Sequence, residues 1–179
     1  YIAPQIWAWG HHRINLIKRE VHRIIVVLPF EESIYREANV PCNFVGHPLL
    51  DSITPQYDKA EIRKQFGLPE DTLILGILPG SRYSEIQSLL PPMMEAVLRI
   101  KRYYPDIHCV IGQAPTVSEE LIDEVIDRKK NSVTLIPNQA NEVIAAADLL
   151  LVASGTATLQ AALIGTPMVL TYRVSWLTH

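Results

Sequence analysis

The stretch SGTATLQAALIGTPM, at positions 154–168, decides the fold of this 179-residue chain. It follows the apolar run DLLLVA (148–153), so a strand ends, a short hydroxylated turn comes next, and a helical segment begins at once. The free N–H groups in the first turn of a helix, together with the helix dipole, attract anions. The stretch therefore predicts an anion site at the carboxyl end of a strand.

A second junction of the same kind lies upstream, where the strand-like run 73–78 leads into LPGSR at positions 78–82. Gly80 lets the backbone approach a phosphate, and Ser81 and Arg82 supply donors to it. Two such junctions on one parallel sheet indicate a ligand that carries phosphates, such as a nucleotide. An ordinary tight turn with a solvated arginine is the alternative for this loop.

Short apolar runs alternate with helical patterns along the chain, which is typical of an α/β fold whose parallel sheet is covered by helices on both faces. The predicted strands are 23–28, 42–45, 73–78, 107–111, 133–136, 149–153 and 168–172. The predicted helices are 8–20, 30–38, a short one between 58 and 67, 84–104 with a break at Pro91-Pro92, 117–130, 141–147 and 157–164.

A linker at 55–58, in which Pro55 excludes a regular helix, separates two parts of this pattern. We expect residues 1–53 to form the C-terminal part of one Rossmann-like α/β domain, and residues 58–179 to form most of a second. The chain starts near the predicted end of a strand and stops soon after another. The sequence is therefore interpreted as a segment of a longer protein, truncated at both ends.

Composition limits the classes of function. Sixteen basic and nineteen acidic side chains give a net charge of −3, so the chain has no general attraction for nucleic acid. Cys42 and Cys109 are far apart, which favours free thiols in a reducing cytosol over a disulfide, and the histidines show no metal-ligand spacing. No run approaches the roughly 20 apolar residues of a membrane span, although contact with a membrane surface stays open.

Four motifs together resemble the lipid-A-disaccharide synthase family, in order and with family-like spacing along nearly the whole chain. They are IWAW at 6–9, FVGHPLLD at 44–51, LPGSRYSE at 78–85 and ASGTATL at 153–159. The resemblance implies the glycosyltransferase B architecture, in which two Rossmann-like domains face a cleft. Residues 1–53 would then belong to the acceptor-side domain, and 58–179 to the UDP-sugar-binding domain.

By this resemblance the parent enzyme is an inverting hexosyltransferase of lipid A biosynthesis. It would join the donor UDP-2,3-diacylglucosamine to the acceptor 2,3-diacylglucosamine 1-phosphate, and release lipid A disaccharide 1-phosphate and UDP, with no metal and no cofactor. The resemblance implies a cytoplasmic enzyme, peripheral to the inner face of the bacterial inner membrane, and allows a homodimer. The family's essential acidic residue would lie upstream of this chain, so the chain alone is expected to bind UDP without turnover.

The expected UDP-sugar contacts lie in loops and helix starts that follow strands. They are Gly80, Ser81, Arg82, Asn138, Ser154, Gly155, Thr156, Thr158, Gln160 and Arg173. Position 160 departs from the family pattern, which has a glutamate there. A carboxylate accepts from two ribose hydroxyls, whereas an amide has one acceptor oxygen. We expect Gln160 to line the ribose site even so.

Several of these positions also admit a structural role. Asn138 belongs to the polar stretch 138–141, where relatives hold the uracil ring, yet it also fits an ordinary loop. Arg173 either reaches a cleft or lies on the surface. His47 is a candidate for proton transfer or a structural histidine, and Glu85 either orients the arginine of its loop or is a first-turn helix acid.

Two other functions fit part of the pattern. A UDP-sugar 2-epimerase on the same fold would explain the nucleotide cradle, but not the motifs at 6–9 and 44–51. A fragment that only binds UDP would explain the cradle without any catalytic residue.

Overall fold

The chain divides into two compact units, Tyr1–Ser52 and Ile53–His179. A computed structural model describes residues 2–8, 10–53 and 57–173, with residues 129 and 130 described by their backbone alone. Trp9 of the IWAW motif, residues 54–56 of the predicted linker and the terminal stretch 174–179 lie outside the described residues.

The first unit pairs two parallel strands and surrounds them with short helices. Its described elements are a 3-10 turn at His11–Arg13, α1 Ile14–Glu20, β1 Ile24–Val26, α2 Pro29–Glu37, β2 Cys42–Phe44 and α3 Leu49–Ser52. The predicted helix 8–20 starts later than expected. Gly10 adopts a left-handed backbone with φ of 80°, which a continuous α-helix cannot accommodate.

Aromatic side chains add specific contacts to the largely aliphatic core of the first unit. Tyr35 is fully buried, and its hydroxyl donates to the carbonyl of Pro4 at 3.2 Å. The indole of Trp7 meets Phe30 edge to face, with ring centroids 5.0 Å apart, and donates to the buried carboxylate of Glu31 at 3.2 Å. The described tryptophan of the first motif therefore packs within its own unit.

Helices alternate with parallel strands throughout the second unit. Its described elements are α4 Lys59–Gln65, β3 Ile74–Leu78, α5 Tyr83–Ile100, β4 His108–Gln113, α6 Glu119–Val125, α7 Arg128–Asn131, β5 Val133–Pro137, α8 Ala140–Ala146, β6 Leu149–Ala153, α9 Thr156–Ile164 and β7 Met168–Thr171. The strands of this part of the chain form one parallel sheet in the order β5-β4-β3-β6-β7. The order reverses between β3 and β6, and in open α/β sheets such a switch point is where ligands bind, outside the carboxyl ends of the strands.

Alternate residues of the central strands face opposite sides of the sheet, and helices bury both sides. Leu75 and Ile77 pack with α5 and α6, whereas Ile74 packs with α4, α8 and α9. Gly76 leaves no room for a side chain, because a Cβ there would lie 2.5 Å from Leu150 Cδ2. The doubly covered parallel sheet predicted from the sequence is confirmed.

The cysteines agree with the prediction from composition. Cys109 is buried in β4, Cys42 is half-buried in β2, and both are free thiols. Burial raises the pKa of the Cys109 thiol. Within the described ranges, no helix combines the length and the apolar character that crossing a membrane requires.

Helix α5 runs without interruption through Pro91 and Pro92, so the predicted break is wrong. A proline leaves the carbonyl four residues earlier without its helical partner. For Pro92 this is the carbonyl of Ser88, which accepts a hydrogen bond from Arg173 Nη1 at 3.4 Å. Six buried side chains between residues 86 and 97 continue the apolar stripe across both prolines, and this packing offsets the missing bonds.

The predicted helix 117–130 is also wrong, because it consists of two helices, α6 and α7. Ile126, which follows α6, is extended with φ of −138° and ψ of 144°, and its side chain is buried in the core. The start of α6 is fixed by Ser118, whose hydroxyl accepts from the N–H of Leu121 at 3.2 Å.

The carboxylate of Asp148 ties helix α4 to the sheet. It accepts from Lys59 Nζ at 2.6 Å, from Arg63 Nη2 at 2.7 Å and from the N–H of Ile74 in β3 at 2.7 Å. Arg63 is only 7% exposed. Burial opposes ionisation of Asp148, but these hydrogen bonds outweigh it and lower the pKa of its carboxyl.

Candidate functional site

A cavity of about 260 Å³ opens at the carboxyl ends of β3 and β6, at the switch point of the sheet. The loop 80–82 after β3 forms one wall, and residues 154–157 after β6 form another. Glu85 and Gln160 complete the polar lining. The two junctions that the sequence pointed to therefore meet at one cavity.

The first wall is held in shape by Glu85. Its Oε2 accepts from the backbone N–H groups of Ser81 at 2.8 Å and Arg82 at 3.2 Å, and its Oε1 accepts from Arg82 Nη1 at 2.9 Å. Gly80 has φ of 115°, and a Cβ there would lie 2.4 Å from Glu85 Oε2. The backbone conformation at 80 favours glycine, and a Cβ there would also lie 2.7 Å from Glu85 Cβ, which cannot move without a shift of helix α5.

These contacts set the charge state of Glu85. Burial opposes ionisation, but the N–H of Ser81 and the side chain and N–H of Arg82 outweigh it and lower the pKa of the Glu85 carboxyl. The loop is also tied to the next strand-end loop, because Thr116 Oγ1 donates to the carbonyl of Ser81 at 2.6 Å. Thr116 follows β4, the neighbour of β3, and sequence reasoning did not single it out.

The second wall begins where β6 ends. The N–H of Ser154 donates to the carbonyl of Thr171 at 2.9 Å, while the side chains of Ser154 and Thr156 are exposed at the cavity. Gly155 is extended, and a Cβ there would meet nothing within 4 Å. Since the first N–H groups of helix α9 have no partner within the helix, this wall offers donors and open space to an anion.

Thr158 and Gln160 have defined partners near this wall. The hydroxyl of Thr158 donates to the carbonyl of Gly155 at 2.7 Å, so it stabilises the start of α9. Gln160 Nε2 donates to Asn141 Oδ1 at 2.8 Å, and Asn141 lies in the first turn of α8. This contact uses one N–H of the Gln160 amide, whose oxygen can act as an acceptor.

Three other sequence candidates lie apart from the cavity lining. Asn138 is exposed, has φ of 58°, and donates its N–H to the carbonyl of Gln113 at 2.9 Å. Arg173 is exposed and contacts the carbonyl freed by Pro92. His47 belongs to the first unit, where its Nδ1 accepts from the N–H of Leu49 at 3.2 Å.

A larger, more open depression of about 750 Å³ lies at the amino ends of β4 and β5. Its basic side chain, Arg128, is hydrogen-bonded to Asp123 and Glu119, which raise its pKa, and His108 Nε2 lies 2.9 Å from Thr134 Oγ1. This depression is on the edge of the sheet opposite the switch point, and its charges already have partners. It is the weaker candidate.

Solved structures show which proteins share the fold of this chain. The superposition on the pneumococcal O-GlcNAc transferase GtfA in complex with UDP and GlcNAc includes 91% of this chain and 32% of the transferase, at 17% identity with a TM-score of 0.54. A glycosyltransferase from Rickettsia africae covers 95% and 48%, at 12% identity with a TM-score of 0.53. The wall teichoic acid polymerase TagF covers 89% and 41%, at 17% identity with a TM-score of 0.51. The chain therefore shares its fold of parallel α/β sheets with these glycosyltransferases.

Sequence comparison then identifies the family. The profile of the lipid-A-disaccharide synthetase family matches residues 1–179, and the chain belongs to this family. Lipid-A-disaccharide synthase of Myxococcus xanthus is 41% identical over 179 residues, which are 100% of this chain and 47% of that protein. The enzyme of Nitrosococcus oceani is 40% identical over 179 residues, 100% of this chain and 46% of that protein. The chain thus spans about half the length of the curated relatives it matches.

Proposed function

We propose that the whole protein transfers a sugar from UDP-2,3-diacylglucosamine to 2,3-diacylglucosamine 1-phosphate, and releases lipid A disaccharide 1-phosphate and UDP. Family membership over the entire chain is the observation that carries this proposal. The relatives reported above are named lipid-A-disaccharide synthase, and none of them is an epimerase. The epimerase alternative therefore has no support among them.

The second unit, in this proposal, binds the UDP part of the donor in the cavity at the switch point. The diphosphate lies between the loop 80–82 and the start of α9 at Ser154, Gly155 and Thr156, with Thr158 keeping that start in shape. Two walls with N–H donors and the 78%-exposed side chain of Arg82 support this assignment.

The leaving group explains why such donors would serve catalysis. As the bond to the sugar breaks, negative charge develops on the UDP oxygen, and fixed N–H groups and Arg82 aimed at it lower the barrier. Gln160 accepts a hydrogen bond from a ribose hydroxyl through its amide oxygen, because its contact with Asn141 is made by the amide nitrogen. Asn138 and Arg173 are assigned to the periphery of the donor site, where uracil and the sugar would extend.

The first unit supplies part of the acceptor side. His47, at the carboxyl end of β2, is the candidate on this chain for contact with the acceptor or for proton transfer. The reaction as proposed needs no metal and no redox cofactor, and its essential acid lies in a part of the protein outside this chain. Alone, the chain binds UDP without turnover.

The acyl chains of both substrates imply where the reaction takes place. The protein works in the cytoplasm at the inner face of the bacterial inner membrane, as a peripheral protein, and its partners are these two lipid substrates and the membrane surface. A homodimer is compatible with the family resemblance. The net charge of −3 argues against nucleic acid as a partner.

The activity is tested with the full-length protein, radiolabelled acceptor and UDP-diacylglucosamine. We expect labelled disaccharide, and a rate at least about tenfold lower in Arg82→Ala, because a donor to the leaving group is lost. Arg99→Ala is the control, since Arg99 is an exposed arginine in the last turn of α5, the helix that follows Arg82. Release of an epimerised UDP-sugar without disaccharide would contradict the proposed reaction. An unchanged rate in Arg82→Ala would contradict the assigned site.

A further inference from the structure

The loop after β3 already binds an anionic group, which is the carboxylate of Glu85 from the same chain. Three N–H donors, from the backbone of Ser81 and Arg82 and from the Arg82 guanidinium, converge on the carboxylate of Glu85 at 2.8 to 3.2 Å. The bare side of Gly80, where a phosphate is expected to approach, is occupied by the same carboxylate. Glu85 thus takes the place that sequence reasoning gave to the ligand.

A phosphate bound to this loop needs the same donors. An N–H group makes one strong hydrogen bond, so the two backbone donors cannot serve Glu85 and a phosphate at full strength together. A carboxylate and a phosphate at one site also repel each other, because both are negatively charged in a partly dry cavity. Either the phosphate replaces the carboxylate, or this loop is not a phosphate site.

We propose that Glu85 is an internal competitor for the phosphate groups of the ligand: its carboxylate keeps the loop 80–82 folded around an anion and gives up the N–H groups of Ser81 and Arg82 when phosphate binds. That the ligand is a nucleotide rests on the proposed function. That the loop binds an anion rests on the contacts of Glu85 alone.

The surroundings of Glu85 allow this exchange. Its side chain keeps 26% of its surface exposed and borders the cavity, so a rotation of its torsions moves the carboxylate outward without unpacking the core. Its partner Arg82 is 78% exposed, so the guanidinium can turn toward a phosphate once the carboxylate has moved away. Ile86, the next residue, remains buried and holds the helix in place.

This competition makes the loop selective. A neutral nucleoside gains nothing from displacing Glu85, whereas a diphosphate replaces one anion with another and reaches the donors of the second wall as well. Glu85 is therefore a positioning and selectivity residue, and its removal should alter the affinity for anions without altering that for the nucleoside part.

The test compares wild type, Glu85→Gln and Glu95→Gln by calorimetric titration with UDP, inorganic pyrophosphate and uridine. Glu95 is an exposed glutamate on the same helix, about 15 Å further along its axis and beyond a Debye length of about 8 Å. We expect Glu85→Gln to bind UDP and pyrophosphate at least about threefold more tightly, which is the size of effect that a single exposed ion pair produces. The affinity for uridine should not change. Glu95→Gln should match wild type with all three probes.

The outcomes separate the two ideas. Unchanged or weaker binding of both anions by Glu85→Gln, or no binding of either anion to any of the three proteins, would overturn the competitor role. If Glu85→Gln binds pyrophosphate more tightly but no variant binds UDP more tightly than pyrophosphate, Glu85 competes with phosphate and the proposed nucleotide site is contradicted. Equal changes for uridine and UDP would assign Glu85 a merely structural role and also overturn the proposal.

Discussion

At the scale of single residues, position 160 determines how strongly the proposed ribose site can hold its ligand. Gln160 is half-buried, and its amide nitrogen donates to Asn141. One acceptor oxygen then remains for two ribose hydroxyls. A carboxylate in this position would accept from both hydroxyls with charge-assisted bonds, and Asn141 could turn its own N–H₂ toward it.

Gln160→Glu should therefore tighten UDP binding by about fivefold, or roughly 1 kcal/mol, the usual difference between charged and neutral hydrogen bonds. Calorimetric titration with UDP measures this change. Gln65→Glu adds the same charge at an exposed position of α4 and should leave the affinity unchanged. An unchanged or higher dissociation constant for Gln160→Glu would show that residue 160 does not face the ribose.

Residue types and strand ends were enough to predict the loop positions of the cavity, because a turn after a strand depends on local sequence. The partners were not predictable in this way. The contact between Gln160 and Asn141 joins two helices that follow different strands, and Arg173 meets Ser88 across 85 positions of the chain. Such contacts depend on the order of strands in the sheet, which one sequence does not specify.

At the scale of secondary-structure elements, Asp148 anchors helix α4 and the start of β3 at once. Its pKa is lowered in the folded protein, so its carboxylate stabilises the fold above the ordinary aspartate pKa of about 4. That contribution is lost as the pH falls through the lowered pKa, because the carboxylate then gains a proton.

Asp148→Asn should lower the free energy of unfolding by about 2 kcal/mol at neutral pH, because Arg63 is buried and loses its charged acceptor. Urea unfolding at a series of pH values should show the gap between wild type and variant closing as the solution is acidified through the lowered pKa. Asp106→Asn, at an exposed position, serves as the control. A gap that is constant with pH would mean that the charge of Asp148 does not stabilise the fold.

Helix α5 illustrates the limit of local signals for elements. Pro91 and Pro92 predict a break from backbone chemistry alone, yet the helix continues because its buried face packs along the sheet on both sides of them. The strands were easier to predict, since runs such as 149–153 are apolar throughout. All residues of this run except the first are buried.

At the scale of the whole molecule, the sheet order of the second unit brings two distant loops to one place. The loops 80–82 and 154–156 are more than seventy residues apart in sequence but follow β3 and β6, which are hydrogen-bonded neighbours. The chain adds β4 and β5 on one side of β3 and then adds β6 and β7 on its other side. In a parallel sheet this order always places the carboxyl ends of β3 and β6 next to each other. The alternation of strands and helices predicted the class of fold, and the strand order, seen in the structure, explains why both motifs contribute to one cavity.

The central claim is that this cavity binds UDP. A titration of the isotope-labelled chain with UDP, followed by the chemical shifts of backbone amides, tests it most directly. The account predicts that the largest shift changes lie in residues 80–85 and 154–160. Saturable shift changes confined to other regions, or no shift changes at millimolar UDP, would contradict it.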